Sequence, residues 1–174
     1  MNIPPVELPF DDQIWLVSDT HFFHTNIGQY CSRPDGWQDL IIGNWNHFIQ
    51  PGDTVFHLGD LALGKKEDTE ALVPLLNGKL YLMRGNHDRR SAAFYQSLGI
   101  TLVKDPYLME HGSGLRLVFS HRPIVPLSPG MLNLHGHIHN NPAPELGRCH
   151  VNLSIEVRQY CPWRLGDVLQ PYLE

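Results

Sequence analysis

Five short clusters carry the side chains that hold divalent metals and move protons: Asp19-Thr20-His21, Gly59-Asp60, Gly85-Asn86-His87-Asp88, Ser120-His121 and Gly136-His137-Ile138-His139. An Asp-x-His pair sets a carboxylate and an imidazole two residues apart, on one side of an extended chain. His137-Ile138-His139 repeats that spacing with two imidazoles. Singly, each cluster is ordinary, since Gly-Asp after a strand is most often a turn and Asn-His-Asp can simply reverse the chain. Their joint occurrence points to a metal site with a proton donor beside it. Carboxylate, amide oxygen and imidazole together suit Mn²⁺, Fe²⁺ or Zn²⁺, and no cysteine stands among them to make a thiolate zinc site.

These clusters need a scaffold that points them at one place. Each follows a short apolar run, at residues 14–18, 55–58, 80–83, 117–119 and 132–134. Such runs read as buried strands, and in open α/β sheets ligands sit beyond the strands' C-terminal ends. Residues 37–49 place Trp37, Leu40, Ile41, Trp45, Phe48 and Ile49 near the spacing of an amphipathic helix, stopped by Pro51-Gly52-Asp53. A second helix is expected from about residues 66–68 to Leu76, with Pro74 kinking it or ending it early, and a short third over residues 91–98. From Ile100 the pattern becomes strands and turns, with Gly112-Ser113-Gly114 as a hairpin connection. The first half reads as βαβ and the second as mostly β. Proline-rich residues 122–130, and residues 140–144, read as loops bordering the site.

The 174 residues, 42% hydrophobic, are enough for one well-cored domain spanning residues 1–174 with no separate cap. A net charge of -5 argues against a partner gripped through a basic patch, so no strong nucleic-acid signal is present. Cys31, Cys149 and Cys161 are far apart, which suggests a reducing compartment. Residues 1–10 lack the basic and apolar segments of a signal peptide, and no apolar run approaches the roughly 20 residues of a membrane span. A cytoplasmic protein is expected, its oligomeric state open.

In this order, Asp-x-His, Gly-Asp, Gly-Asn-His-Asp, His and Gly-His-x-His resemble the motifs of the calcineurin-like metallophosphoesterases. The opening Ser18-Asp19-Thr20-His21-Phe22 with His24, Asn26 and Ile27 is similar to the short bacterial and phage branch. The resemblance runs from Ile14 to about Tyr160. It implies an α/β fold, a four-layer αββα sandwich of two mixed β-sheets flanked by helices, with a dinuclear metal centre at the strand ends. It further implies that Asp19, His21 and His139 hold one ion, that Asn86, His121 and His137 hold the other, and that Asp60 bridges. His87 is then the catalytic histidine and Asp88 its orienting partner.

Two ions roughly 3.5 to 4 Å apart lower the pKa of a shared water toward about 7 and clamp an in-line phosphoryl displacement. The shared hydroxide is then the nucleophile and His87 protonates the leaving oxygen. Manganese is the expected metal, with Fe²⁺ and Zn²⁺ as alternatives, and the expected partner is a phosphate ester. The family's usual Asp-Arg continuation is replaced here by Leu61-Ala62-Leu63-Gly64-Lys65-Lys66, which removes an arginine clamp. That change and the missing cap favour a phosphodiesterase over a phosphomonoesterase. A non-catalytic scaffold is disfavoured by the intact ligand set, and a metallo-β-lactamase by Asn140-Asn141 after the last motif. Phe23, where the short branch often has glycine, is expected to narrow the mouth of the site.

Arg122 and His24 are the expected substrate contacts. Arg33, Arg84, Arg89 and Arg90 are further phosphate candidates, since a guanidinium meets phosphate bidentately. His57 reads as a satisfied core histidine, and His135 has the same reading with support for a ligand as the alternative. Trp15, Trp37, Trp45 and Trp163 read as core.

Overall fold

The computed structural model describes residues 11–173, so the leader reading of residues 1–10 lies outside it. The chain runs β1 (Trp15–Val17), α1 (Ile27–Tyr30), α2 (Trp37–Phe48), β2 (Thr54–His57), α3 (Lys66–Leu72), β3 (Lys79–Met83), α4 (Ala92–Ser97), β4 (Thr101–Val103), β5 (Tyr107–Glu110), β6 (Arg116–Ser120), β7 (Met131–His135), β8 (His150–Asn152), β9 (Trp163–Arg164) and α5 (Leu165–Leu169). Two mixed sheets result, as expected. The first has the order β4-β3-β2-β1-β9, parallel except for β9. In the second, β5-β6-β7-β8, only β5 runs antiparallel.

Strand alternation decides which layer each residue joins. In β1, Trp15 and Val17 face α2, α3 and α4 with Ile41, Trp45, Leu72 and Phe94. Ile14 and Leu16 face the other sheet, with Phe56, Leu117, Phe119, Leu132 and Leu134. The α5 residues Leu165, Val168 and Leu169 join that second layer. On the far side of the second sheet, buried Asn133 accepts from Ile124 N at 2.9 Å, and His150 bonds Ile124 O at 3.0 Å. These bonds pin the loop that begins at Arg122.

The helices follow the sequence reading with physical refinements. Ser91 caps α4 by accepting from Phe94 N at 3.2 Å. Pro74 ends α3 early, in a 3-10 turn over Val73–Leu75. The apolar stripe of α2 is narrower than its spacing suggests, because Leu40 and Phe48 lie at the surface. Trp163 is also a correction: it is exposed on the edge strand β9, with the Arg158 guanidinium 4.4 Å from its ring centre. No helix among the described residues is long and apolar enough to cross a membrane.

Parallel pairing puts the C-terminal ends of β1, β2 and β3 at one edge, and those of β6, β7 and β8 at one edge of the other sheet. A parallel bridge between Ser18 and Ser154, with Ile155 N donating to Ser18 O at 3.0 Å, joins the two edges. The motifs lie along that seam.

Candidate metal centre

Beyond the strand ends the backbone turns into conformations that side chains disfavour. Asp19, His21, Asp60, His137 and His139 have φ of 59°, 51°, 58°, 71° and 52°. Each non-glycine residue held there costs about 1 to 3 kcal/mol, and such strain concentrates at functional sites. Main-chain bonds hold the turns: Asp19 N to Gly59 O at 3.0 Å, His21 N to Asp60 O at 2.9 Å, and Gly136 N to His121 O at 3.0 Å. The motif glycines permit close approach. A Cβ on Gly136 would overlap Asp19 Oδ2, and one on Gly85 would overlap the Asp60 carboxylate.

The turns gather two groups of ligand atoms. Asp19, His21 and His139 form one and Asp60, His121 and His137 the other, the atoms within each lying within 4.8 Å of one another. Asn86 Oδ1 joins the second, 3.1 Å from His121 Nε2. Between them stands Asp60 Oδ2, 3.4 Å from His21 Nε2 and 3.3 Å from His121 Nε2. Asp60 Oδ1 accepts from His87 N at 2.7 Å, which fixes the carboxylate in that position.

The donor set fits cations. Asp19 Oδ1 and both ring nitrogens of His21 are buried without a hydrogen-bond partner, which costs roughly 1 to 3 kcal/mol for each buried group left unpaired. His121 Nδ1 lies 2.9 Å from Leu58 O, so it carries a proton, and Nε2 faces Asp60 and Asn86. Burial opposes ionisation of Asp19, yet the imidazoles of His21, His121 and His139 around it hold it well below the usual carboxylate range. Asp60 is held low against burial by His121 and His21. Burial pulls His121 down, but the Asp60 bond and the Asp19 and Asp60 charges outweigh it and push the ring up to about 9. His137 is pulled down to about 4 by burial and by the charges of His121 and Arg122.

Several expected residues occupy other roles. Asp88 does not orient His87: its buried carboxylate accepts from Asp60 N at 2.6 Å, Leu61 N at 3.1 Å and Gly85 N at 2.9 Å, tying the second and third motifs together. Burial pushes it up to about 6. The His87 ring sits half-buried near the rings of His21 and His24, with centroids 5.2 and 6.0 Å away. Burial and the His21 charge hold both His87 and His24 below the ordinary imidazole value. Phe23 is partly exposed beside them. Arg122 reaches the second group, 2.6 Å from His137 Nε2 and 3.2 Å from Asn86 Oδ1.

Arg33 does not face solvent or phosphate. It is buried, and its guanidinium bonds Glu156 and the carbonyls of Asp19 and Thr20. Arg84 bonds Asp88 O, Arg89 bonds Asn86 O and Arg90 bonds Gly64 O. His57 is satisfied in the core: Nδ1 accepts from Gly59 N, and Nε2 donates to Thr20 Oγ1, whose own proton goes to Leu61 O. Burial lowers it to about 3. His135 donates from Nδ1 to Gly136 O, at the base of the last motif.

Two supporting residues escaped the motif reading. Ser154 Oγ donates to Asp19 Oδ2 at 3.0 Å, and Glu156 accepts from His139 Nδ1 at 3.0 Å. Both follow β8, where the alternating His150-Val151-Asn152-Leu153 lacks the continuous apolar run that marked the other strand ends, so the stop before Ser154-Ile155-Glu156 carried no comparable signal.

The model of the calcineurin-like phosphoesterase family matches residues 13–160. The chain belongs to that family. The chain is 35% identical over 173 residues to the uncharacterized protein MJ1445 of Methanocaldococcus jannaschii, covering 91% of this chain and 90% of that one. The structure of a protein of unknown function from Aquifex aeolicus, AQ665, is similar with a TM-score of 0.72 at 24% identity, over 91% of this chain and 98% of that one. A nuclease from Pseudomonas putida, MPE, aligns at 24% identity over 72% of this chain and 61% of its own, with a TM-score of 0.49.

Proposed function

We propose that this phosphoesterase is a phosphodiesterase that works with two divalent cations, Mn²⁺ by preference. The observation that carries the reading is the position of Asp60 Oδ2, 3.4 Å from His21 Nε2 in one ligand group and 3.3 Å from His121 Nε2 in the other. Asp19, His21 and His139 hold one cation, Asn86, His121 and His137 the other, and Asp60 belongs to both. When bound, the cations supply Lewis acidity toward the phosphoryl oxygens and an activated water.

The chain's own groups supply the rest. His87, at the rim of the centre, carries a proton to the leaving-group oxygen. Asp88 acts one step back, locking the main chain of Asp60, Leu61 and Gly85 so that the bridging carboxylate and His87 keep their spacing. Arg122, on a loop pinned by Asn133 and His150, offers a guanidinium to a phosphate oxygen at the exposed side of the second group, with His24 on the opposite flank. Buried Leu61 and Ala62 follow Asp60 where a second guanidinium would be needed to grip a dianionic monoester. A diester carries one charge fewer and suits a single arginine.

The test is a comparison of bis(p-nitrophenyl) phosphate with p-nitrophenyl phosphate, using the Mn²⁺-loaded protein. The diester is expected to show the higher kcat/KM, with activity abolished by a chelator and restored by Mn²⁺. Preference for the monoester would overturn the diester assignment. Hydrolysis that persists in chelator would overturn the metal mechanism.

A further inference from the structure

Glu156 and Arg33 form a buried ion pair at 2.5 Å, with side chains 2% and 0% exposed, directly behind the Asp19, His21 and His139 group. Arg33 uses the pair to grip the first motif: Nη2 donates to Asp19 O at 2.7 Å and Nη1 to Thr20 O at 2.6 Å. Its guanidinium is also stacked over Trp37, 4.5 Å from the ring centre, which fixes its plane. Glu156 uses the same oxygen, Oε1, to accept from Arg33 Nε at 2.9 Å and from His139 Nδ1 at 3.0 Å. On the turn that carries Glu156, Ser154 Oγ takes up Asp19 Oδ2. Three separate segments, holding Asp19 and Thr20, His139, and Ser154 with Glu156, therefore converge on one ion pair.

We infer that Glu156, clamped by Arg33, is the positioning residue for one half of the centre: it holds the proton of His139 on Nδ1 and so turns the Nε2 lone pair toward Asp19 and His21. A carboxylate behind a ligating histidine fixes both tautomer and ring orientation, and losing such a partner weakens metal binding by roughly 10- to 100-fold. Cys31, His139 and Glu156 also bring ligand atoms within 4.8 Å of one another, and could be read as a separate cation site. The Arg33 guanidinium bonded to Glu156 already supplies the positive charge there, and the proton on His139 Nδ1 closes that nitrogen to a metal. His139 thus faces the centre through Nε2 alone. Among the described residues the second group shows no carboxylate at Nδ1 of His121, which leans on a main-chain carbonyl, Leu58 O.

This inference rests on the metal-site reading, and binding tests it without turnover. Mn²⁺ titrations of full-length protein, followed by calorimetry and the electron paramagnetic resonance of free Mn²⁺, are expected to show two binding steps. Glu156→Ala should weaken one step by roughly 10- to 100-fold and leave the other unchanged. Combined with His137→Ala, Glu156→Ala should still weaken the remaining site by its full factor. Combined with His139→Ala it should add almost nothing, because the ligand it positions is gone. Glu156→Gln, which retains an acceptor oxygen, should recover part of the loss.

The ¹⁵N shifts of the metal-free protein should report an Nδ1-protonated His139 in the wild type and a mixture of tautomers in Glu156→Ala. An equal loss at both sites, a full additional loss on top of His139→Ala, an Nε2-protonated His139 in the wild type, or no Mn²⁺ binding at all would each overturn the inference. Two-step binding with the predicted coupling but no hydrolysis of any phosphate ester would overturn the activity reading and leave this one standing.

Discussion

Asp19 and His21 are sealed from solvent, and side chains behind them, Ser154, Arg33 and Glu156, bond to their half of the centre. In the other half, Asn86 and His137 are partly buried, as His139 is in the first, His121 leans on main chain, and the exposed Arg122 touches two of the donor atoms. The same residue types thus make two unlike sites. In the first, donor atoms are oriented in advance and two of them lack any other partner, so a cation meets little reorganisation cost there. In the second, a cation must displace an arginine contact. On the two-cation proposal, the expected outcome is one tighter site and one weaker, more readily exchanged site.

The comparison breaks most completely at the residue both halves share. Asp60→Asn keeps size but removes the negative charge and one of the two donor oxygens of the bridging group, so occupancy should fall at both sites. The drop in activity should exceed the roughly 10- to 100-fold typical of losing a supporting residue. Elemental analysis of Asp60→Asn showing full loading of two metals would end the bridging assignment.

A residue belonging to neither half gives the next largest effect. His87→Ala should leave both metal occupancies near wild type while slowing hydrolysis of a diester with an alkoxide leaving group by roughly 10²- to 10⁴-fold. The loss should be far smaller for a nitrophenolate, which departs without a proton. Equal slowing of both leaving groups with both metals bound would make His87 a phosphate-positioning group and remove it as the acid.

The unequal support of the two halves also explains what could be read from the sequence. Candidate ligands are legible because the strands before them are apolar runs that stop, and the residues after the stop must do something other than pack. Asp19, Asp60, Asn86, His121, His137 and His139 all stand there, and the structure brings them together. Supporting contacts are far less legible, because they depend on distant segments meeting: Arg33 and Glu156 are 123 residues apart. Nor is adjacency a guide to contact. Asp88 follows His87 directly, yet the tight turn sends its carboxylate to the N–H groups of Asp60, Leu61 and Gly85, donors that the left-handed backbone at Asp60 leaves in need of an acceptor. In α2 the spacing shows which residues repeat but not how wide the covering sheet is, and so Leu40 and Phe48 remain at the surface.

The smallest expected effect is also the one whose sign best separates the halves. Arg122 donates toward His137 Nε2 and Asn86 Oδ1, both donor atoms of the weaker site, and its charge contributes to holding His137 down to about 4. Removing it takes away a competitor and a repelling positive charge. Arg122→Ala should therefore tighten Mn²⁺ binding at the second site, by less than about tenfold given the screening of a partly exposed charge, and leave the first site unchanged. The same substitution should raise KM for a diester, because the guanidinium that leaves the donors on metal binding is the one offered to phosphate. Titration and kinetics then move in opposite directions for one substitution. Weaker Mn²⁺ binding in Arg122→Ala would show that the arginine buttresses the second site, and the asymmetry between the halves would have to rest on Glu156 and Ser154 alone.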